Sequence, residues 1–234
     1  MSIGVIKLKI NEQEVTSYEG DTILKAAKEH GIIIPTLCEL DGLSSLGGCR
    51  LCLVEVKGSP KLFPACTTPV SNGMEVTTDS ERLKKYRKMA LELILSERIH
   101  ICSVCVANNN CELQDLANKL GVDHVSFKRD WNTHDLDTTH EFLVIDRNRC
   151  ILCTRCIRVC DEVEGAHVLD LKNRGKDTEV VIDLDDQWGV SKICTSCRKC
   201  AKVCPVGAIY VEGQPISQIR DKKIAEFILA RRRS

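Results

Sequence analysis

The first eighty residues alternate between strand-like and helix-like stretches. Val5–Ile10 has the pattern of a strand, and Asp21 is placed to cap a short apolar helix that Gly31 would end. Residues 51–56 alternate well enough to form another strand. Strands arranged around one helix within 1–78 are how a ubiquitin-like β-grasp fold begins.

The period of the apolar positions changes after this region. Between residues 80 and 98 apolar side chains recur at helical spacing with Lys and Arg between them, which predicts one amphipathic helix. We place this helix in a small helical domain at 79–117. Residues 118–145 show no clear period, so we expect a connector there.

Two apolar stretches at 168–171 and 180–183 flank a turn-forming segment, which predicts a hairpin within a domain at 146–212. The tail at 213–234 has apolar residues at helical spacing before Arg231–Arg233. It predicts a short C-terminal helix whose basic end suits the helix dipole.

Composition adds 15 cysteines to this picture and no net charge. The chain carries 33 basic and 33 acidic side chains, so it has no overall field that would attract nucleic acid or an anionic membrane. No apolar run is long enough to span a membrane, and the first residues do not resemble a secretory signal. We therefore expect a cytoplasmic protein. In that reducing compartment cysteines more often bind metal or act in catalysis than form disulfides.

The strongest chemical signal is a repeated cysteine motif. The run C-x2-C-x2-C-x3-C begins at Cys150 and again 44 residues later at Cys194. Three thiolates at this spacing can reach three iron corners of a cubane, while the fourth reaches the other cluster. The predicted ligands of two [4Fe–4S] clusters are Cys150, Cys153, Cys156 and Cys204 for one, and Cys160, Cys194, Cys197 and Cys200 for the other. Zinc is the alternative, although its structural sites use separated CxxC pairs.

Four further cysteines lie within the predicted β-grasp region. Their order, a first cysteine, a close pair and a distant fourth, follows the logic of a plant-type [2Fe–2S] loop without its spacing. Gly47 and Gly48 would let backbone N–H groups approach the cluster sulfides. We predict a [2Fe–2S] cluster, with a buried thiol set or one zinc ion as the alternative, at Cys38, Cys49, Cys52 and Cys66.

The last three cysteines need a fourth ligand to hold a [4Fe–4S] cluster. His100 lies just before them, whereas the other five histidines lie farther away along the chain. One histidine added to 15 cysteines gives four ligands for each of four clusters. The predicted set is His100, Cys102, Cys105 and Cys111, and a three-iron or water-ligated cluster is the alternative.

The order of these motifs resembles the N-terminal region of the large iron–sulfur subunit of complex I and the electron-entry region of iron-only hydrogenases. Over its whole length the chain is similar to the small diaphorase subunit of NAD(P)-linked bidirectional [NiFe]-hydrogenases. Complex I has its histidine at the position that Arg98 occupies here, and this departure favours the hydrogenase branch. The stretches that carry the resemblance are 34–38, 102–108, 111–114, 149–156 and 160–167.

The resemblance implies an α+β fold with three parts: a β-grasp [2Fe–2S] ferredoxin domain, a small helical His/Cys3 domain and a double-[4Fe–4S] domain like that of bacterial ferredoxins. It also implies one [2Fe–2S] and three [4Fe–4S] clusters, with FMN and NAD(P) on a partner subunit. The chain has no G-x-G-x-x-G motif after a strand. We therefore expect no nucleotide or flavin site in it. Because the predicted clusters use all of its redox-active ligands, we also expect no catalytic residue.

The function implied is electron relay within a hydrogen:NAD(P)+ oxidoreductase. The expected partners are a flavin- and NAD(P)-binding diaphorase subunit and the small and large hydrogenase subunits, with a further [2Fe–2S] subunit as an optional member. The alternative is the same relay in a formate dehydrogenase, an iron-only hydrogenase or a complex I-like NADH dehydrogenase.

Overall fold

The computed structural model describes residues 4–129, 131–219, 225–226 and 228–229. The chain divides into two compact units. Unit 1 comprises residues 1–38 and 45–91, and unit 2 comprises residues 39–44 and 92–234. The short segment 39–44 therefore belongs to unit 2 although the sequence on both sides of it belongs to unit 1.

Unit 1 is a five-stranded mixed sheet. Its strands are β1 (Val5–Ile10), β2 (Gln13–Tyr18), β3 (Leu53–Val56), β4 (Leu62–Pro64) and β5 (Glu75–Thr77). They lie in the order β2-β1-β5-β3-β4, and β1 pairs parallel with β5 while the other pairs are antiparallel. The inward side chains of β1 and β2, including Leu8, Ile10 and Val15, alternate with exposed polar residues and pack into one core.

One short helix, α1 (Ile23–Glu29), packs its apolar face into this core. The predicted cap Asp21 is wrong: Thr22 is the N-cap, and its Oγ1 accepts a hydrogen bond from the Lys25 amide at 3.2 Å. The Asp21 carboxylate instead accepts from Ser17 Oγ at 2.9 Å and from Lys25 Nζ at 2.5 Å. Gly31 follows the helix at φ +73°, as expected of its end.

The amphipathic helix predicted for 80–98 is present as α2 (Glu81–Glu97). Its Arg87 side chain is 5% exposed and donates to the backbone oxygens of Leu51 at 3.0 Å, Leu53 at 2.8 Å and Thr78 at 2.8 Å. Two of these carbonyls flank Cys52. Arg87 therefore fixes the segment that carries a predicted cluster ligand.

Unit 2 is built from short elements joined by loops. They are α3 (Glu112–Lys119), β6 (Leu143–Ile145), α4 (Arg155–Val159), a π-helical turn (Cys160–Glu164), β7 (Leu169–Lys172), β8 (Glu179–Ile182), α5 (Lys199–Val203), β9 (Ile209–Val211) and α6 (Ile216–Ile219). β7 and β8 form the predicted hairpin, with Leu169 opposite Ile182.

A strand lies in the predicted connector 118–145. β6 is buried at all three residues and pairs antiparallel with β9, so that Leu143 lies opposite Val211. The unbroken apolar run of a strand buried on both faces gives no alternating signal, which is why its period is not visible in the sequence. The domain boundaries at 78, 117, 145 and 212 remain a prediction.

Two parts of the predicted C-terminal segment lie among the described residues: 213–219, and the helical residues 225–226 and 228–229. α6 lies in the first of them, and Ile228 is fully buried against Leu43, Val159 and Val203. The basic end Arg231–Arg233 lies outside the described residues. No helix in the described ranges has the length and hydropathy needed to cross a bilayer.

Replacing Arg87 tests how unit 1 holds the Cys52 segment. Arg87→Met leaves three carbonyl oxygens without their donor, which we expect to cost about 2–4 kcal/mol and to lower the Tm by at least about 5 °C. The matched control is Arg82→Met on the same helix. Its side chain is 45% exposed, donates to Pro60 O at 2.7 Å and lies 3.5 Å from Glu55. Because water can replace these exposed contacts, its effect should stay below about 1 kcal/mol. Equal Tm values for the two variants would contradict this role of Arg87.

Candidate metal centres

The four cysteines predicted to hold the [2Fe–2S] cluster, here called the Cys38 set, all lie in unit 1. Cys38, Cys52 and Cys66 are each 1% exposed, and the Sγ atoms of Cys52 and Cys66 are 3.4 Å apart. The neighbouring Cys66 thiol lowers the pKa of Cys52 to about 7, while Cys38 and burial raise the pKa of Cys49. The structure therefore places the Cys38 set as interacting thiols beside the core of the sheet.

The glycine pair before Cys49 has a definite steric role. Gly47 has φ +67°, and a Cβ on it would lie 3.2 Å from Thr67 Cγ2, beside Cys66. A Cβ on Gly48 would lie 2.9 Å from Leu46 Cδ2. Gly47 therefore suits both the left-handed backbone and the close approach to Thr67, whereas a side chain on Gly48 would only displace the end of the exposed Leu46 side chain.

The second group, here called the His100 set, comprises His100, Cys102, Cys105 and Cys111. All four line one cavity of about 250 Å³ in unit 2, whose walls also include Leu113, Val206 and Arg149. Cys102 begins a 3₁₀ turn and Cys111 directly precedes α3. The backbone amide of Ala107 lies 3.5 Å from Cys105 Sγ, so it can donate to that sulfur.

The imidazole of His100 has the properties of a metal ligand. Its Nε2 is buried and has no hydrogen-bond partner in the described part of the chain. Burial lowers the pKa of His100 to about 4, and the charges of Arg98 and Arg149 act in the same direction. A buried neutral imidazole with an open nitrogen is the form that binds iron. Arg98, at the complex I histidine position, does not line the cavity and donates to Thr178 O at 2.5 Å.

The third group, here called the Cys150 set, comprises Cys150, Cys153, Cys156 and Cys204. Burial raises the pKa of Cys150 to about 11 and that of Cys153 to about 12, and in both cases Cys204 is among the charges that raise it further. The pKa of Cys156 is also raised by burial and by the other three thiols. The structure therefore brings Cys204, from the second repeat, beside the three cysteines of the first.

The fourth group, here called the Cys194 set, comprises Cys160, Cys194, Cys197 and Cys200. All four line one small cavity of about 20 Å³ together with Trp188 and Leu143. Burial raises the pKa of Cys200, and Cys197, Cys194 and Cys160 raise it further. Cys160 belongs to the first repeat by sequence, so each repeat places its fourth cysteine beside the other repeat's three.

The two repeats share their backbone conformation up to the fourth cysteine. Leu152 and Ser196 have φ +53° and +55°, and Thr154 and Arg198 have φ +57° and +62°, before five-residue helices that begin at the next residue. These left-handed residues turn each loop around its thiols.

After the fourth cysteine the repeats differ. Pro205 cannot continue a helix and disfavours helical backbone in Cys204, which has ψ 118°. Asp161 imposes no such limit, and the first repeat continues from Cys160 as a π-helical turn that Gly165 ends at φ +71°. The substitution therefore changes the path of the backbone and keeps Cys160 in its set.

A buried cation precedes the third cysteine in both repeats. Arg155 is 4% exposed and donates to both carboxylate oxygens of Glu112 at 2.9 Å, and Lys199 is 8% exposed and donates to Glu164. The sequence analysis missed both pairs. The equal position of the two cations in the duplicated motif is the signal that could have found them.

These sites fit iron–sulfur clusters. Three thiols and a buried imidazole, whose Nε2 has no partner among the described residues, line one cavity. Four thiols line the other, and burial raises the pKa of two of them, Cys160 and Cys200. Thiol and imidazole groups are the ligands that iron–sulfur clusters use. Within the described residues, no three His, Cys, Asp or Glu side chains are grouped as the ligands of a single metal ion. The clusters would supply one-electron redox chemistry, while the chain positions their ligands and controls hydrogen bonding to their sulfur atoms.

Comparison with known protein families assigns the three regions. A 2Fe-2S iron-sulfur cluster binding domain matches residues 4–81, and an NADH-ubiquinone oxidoreductase-G iron-sulfur binding region matches residues 87–126. A 4Fe-4S dicluster domain matches residues 149–208. These matches confirm the predicted α+β fold class with its three iron–sulfur regions.

Curated relatives share most of this chain. The NADP-reducing hydrogenase subunit HndD of Solidesulfovibrio fructosivorans is 37% identical over 222 residues, which are 93% of this chain and 38% of that protein. An NADH-quinone oxidoreductase subunit of Rhizobium meliloti (strain 1021) is 37% identical over 208 residues, which are 88% of this chain and 24% of that protein. The chain thus spans between a quarter and two-fifths of the length of these relatives.

A solved structure decides the family. A chain in the crystal structure of NAD+-reducing [NiFe]-hydrogenase in the H2-reduced state matches with a TM-score of 0.84 and 30% identity, covering 90% of this chain and 88% of that chain. The chain belongs to the iron–sulfur subunit family of NAD(P)-linked hydrogenases and complex I. The predicted resemblance is therefore confirmed. Which residues bind each cluster, and the number of clusters, remain predictions for this family member.

This family member carries a donor to sulfur that the motif spacing does not reveal. Trp188 is 1% exposed, and its Nε1 lies 3.3 Å from Cys194 Sγ. Its backbone amide donates to Asp137 at 2.8 Å, and its ring contacts His140 edge to face. The indole N–H can therefore hydrogen-bond to a predicted ligand of the Cys194 set.

The exchange of fourth cysteines between repeats can be tested reciprocally. Cys160→Ser and Cys197→Ser should remove or convert the same cluster, because Cys160 and Cys197 line the same cavity. Cys204→Ser should affect the cluster of Cys153. The EPR signals of the reduced protein and its iron content are the measurements. Loss of the same signal in Cys160→Ser and Cys153→Ser would show that each repeat binds its own cluster.

Removing the indole donor should shift one potential. Trp188→Phe keeps an aromatic ring but loses the N–H···S bond. That bond stabilises the reduced cluster more than the oxidised one, because the reduced cluster is more negative. We expect the midpoint potential of the Cys194-set cluster to fall by about 20–60 mV, equivalent to about 0.5–1.5 kcal/mol. Trp131→Phe is the control, since Trp131 is 37% exposed. Equal potentials in the two variants would exclude this role of Trp188.

Proposed function

We propose that this chain is the electron-transfer subunit of the diaphorase module of an NAD(P)-reducing [NiFe]-hydrogenase. The observation that carries the proposal is the match to a chain of an NAD+-reducing [NiFe]-hydrogenase, which covers 88% of that chain at 30% identity. Electrons from H2 enter the chain from a hydrogenase subunit, pass through its clusters and leave to reduce NAD(P)+. The direction reverses with substrate levels.

The proposed relay consists of one [2Fe–2S] cluster at the Cys38 set and three [4Fe–4S] clusters at the His100, Cys150 and Cys194 sets. Their cavities, buried thiols and shared electrostatic interactions support this assignment. The chain itself is non-catalytic. Roughly 14 iron atoms per chain are expected from these centres.

The partners follow from the electron count. Nicotinamide gives or takes two electrons together, whereas each cluster carries one, so a flavin must couple the two processes. We place FMN and the NAD(P) site on a partner diaphorase subunit, and the H2-cleaving site on hydrogenase small and large subunits. A further [2Fe–2S] subunit can complete the complex.

A complex I-like NADH dehydrogenase is the second candidate. The 37% identity with an NADH-quinone oxidoreductase chain favours it. The same relay in a formate dehydrogenase or an iron-only hydrogenase has equivalent chemistry. The subunits that co-purify with the chain distinguish these assemblies, because only the proposed one brings nickel.

Removing one thiolate tests the relay. In the assembled complex, Cys197→Ser should lower H2-driven NAD(P)+ reduction at least about tenfold, while NADH oxidation by artificial acceptors at the flavin persists. Ser191→Ala is the control, because its buried Oγ has no hydrogen-bond partner in the described part of the chain. Survival of both activities in Cys197→Ser would refute the relay, and a colourless zinc protein without sulfide would refute the clusters.

A further inference from the structure

Arg149 lies between two of the predicted cluster sites. It ends the 3₁₀ turn Arg147–Arg149 and directly precedes Cys150, the first member of the Cys150 set. Arg149 also lines the 250 Å³ cavity around the His100 set. One residue thus borders both predicted sites.

The hydrogen bonding of this guanidinium is incomplete within the described part of the chain. Its Nε lies 2.9 Å from Asp146 Oδ2, and Asp146 is 4% exposed and caps the same turn. Its Nη1 is buried and has no acceptor there. A buried charged donor without an acceptor destabilises the protein, and the cavity that Arg149 lines has room for a group that supplies one.

The cavity itself favours one kind of acceptor. Two of its lining residues, His100 and Arg149, each carry a buried nitrogen without a partner among the described residues. Apolar side chains such as Leu95, Leu113 and Val206 form much of the remaining wall. An iron–sulfur cluster satisfies both nitrogens at once, since iron accepts the imidazole lone pair and sulfur accepts the guanidinium proton.

We propose that Arg149 donates an Nη1–H hydrogen bond to a sulfur atom of the cluster held by the His100 set and thereby raises its reduction potential. This inference rests on the proposed cluster at that set. Reduction adds one electron to the cluster, and the cation and its hydrogen bond stabilise the more negative product. Arginine does not deprotonate in proteins, so no proton accompanies the electron and the effect of Arg149 on the potential is independent of pH.

The neighbouring Arg147 provides a matched control. It lies two residues away in the same turn, but its Nε donates to Val180 O at 2.7 Å and lies 3.6 Å from Glu179. Arg147 does not line the cavity of the His100 set. Removal of its charge therefore tests for general electrostatic or folding effects of substitution in this turn.

The experiment is a redox titration of the intact complex followed by EPR, with the His100-set cluster identified by the nitrogen coupling of its imidazole. Arg149→Met should make this cluster about tenfold or more harder to reduce, as expected for loss of one charge-assisted hydrogen bond. Arg149→Lys, which keeps the charge, should lie between this variant and the unaltered protein. Arg147→Met should leave the potential unchanged. An unchanged potential in Arg149→Met, or an equal shift in Arg147→Met, would overturn the proposal.

A measurement without substitution covers the case in which the variants lose the cluster. In protein labelled with ¹⁵N-arginine, pulsed EPR of the reduced His100-set cluster should show a ¹⁵N coupling, and its absence would overturn the proposal. If the unaltered protein has no nitrogen-coupled cluster signal at all, the proposed His100 ligand fails instead. A cluster with histidine coupling but no arginine coupling refutes only the role of Arg149.

Discussion

The burial of thiols is the constraint on which the rest of this structure depends. Burial raises the pKa of Cys150 and Cys153 to about 11 and 12, so at neutral pH they are protonated unless a cation stabilises their thiolates. Iron supplies that positive charge. Cluster binding therefore releases protons. It also contributes directly to the free energy of folding, because only iron offsets the cost of burying the thiolates of the ligand loops.

Buried cations of the chain complement this arrangement. Arg155 and Lys199 occupy the same place in the two repeats and pair with carboxylates from other ligand segments, Glu112 beside Cys111 and Glu164 after Cys160. Desolvation offsets much of the attraction in such pairs, so their net contribution to stability is small. Their geometric effect is larger. The Arg155 pair fixes the loop of the Cys150 set to the segment after Cys111 of the His100 set, and the Lys199 pair fixes the second repeat to the end of the first.

Cysteine spacing indicates candidate sites because a cubane imposes a fixed separation on its ligands, and the structure brings the cysteines of the Cys194 set to one cavity. The same spacing says nothing about the roles of Trp188 and Arg149. Trp188 lies outside the cysteine motifs, and Arg149 directly precedes Cys150 but lines the cavity of a different set. Competing side-chain contacts also limit the prediction of helix caps. Asp21 pairs with Lys25 and Ser17, so Thr22 is the residue that caps α1. β1, α2 and the β7–β8 hairpin were predictable because an amphipathic period or a turn marks each of them.

The segments that carry ligands are also joined by backbone hydrogen bonds within unit 2. The Ile99 amide, beside His100, donates to Asn148 O at 2.9 Å, just before Cys150. The Glu112 amide, beside Cys111, donates to Pro205 O at 2.9 Å, just after Cys204. Electron tunnelling slows exponentially with distance, so variation in the distance between the two proposed clusters would vary the rate of transfer between them. These hydrogen bonds restrict the motion of the His100 set relative to the Cys150 set at residues next to the proposed ligands.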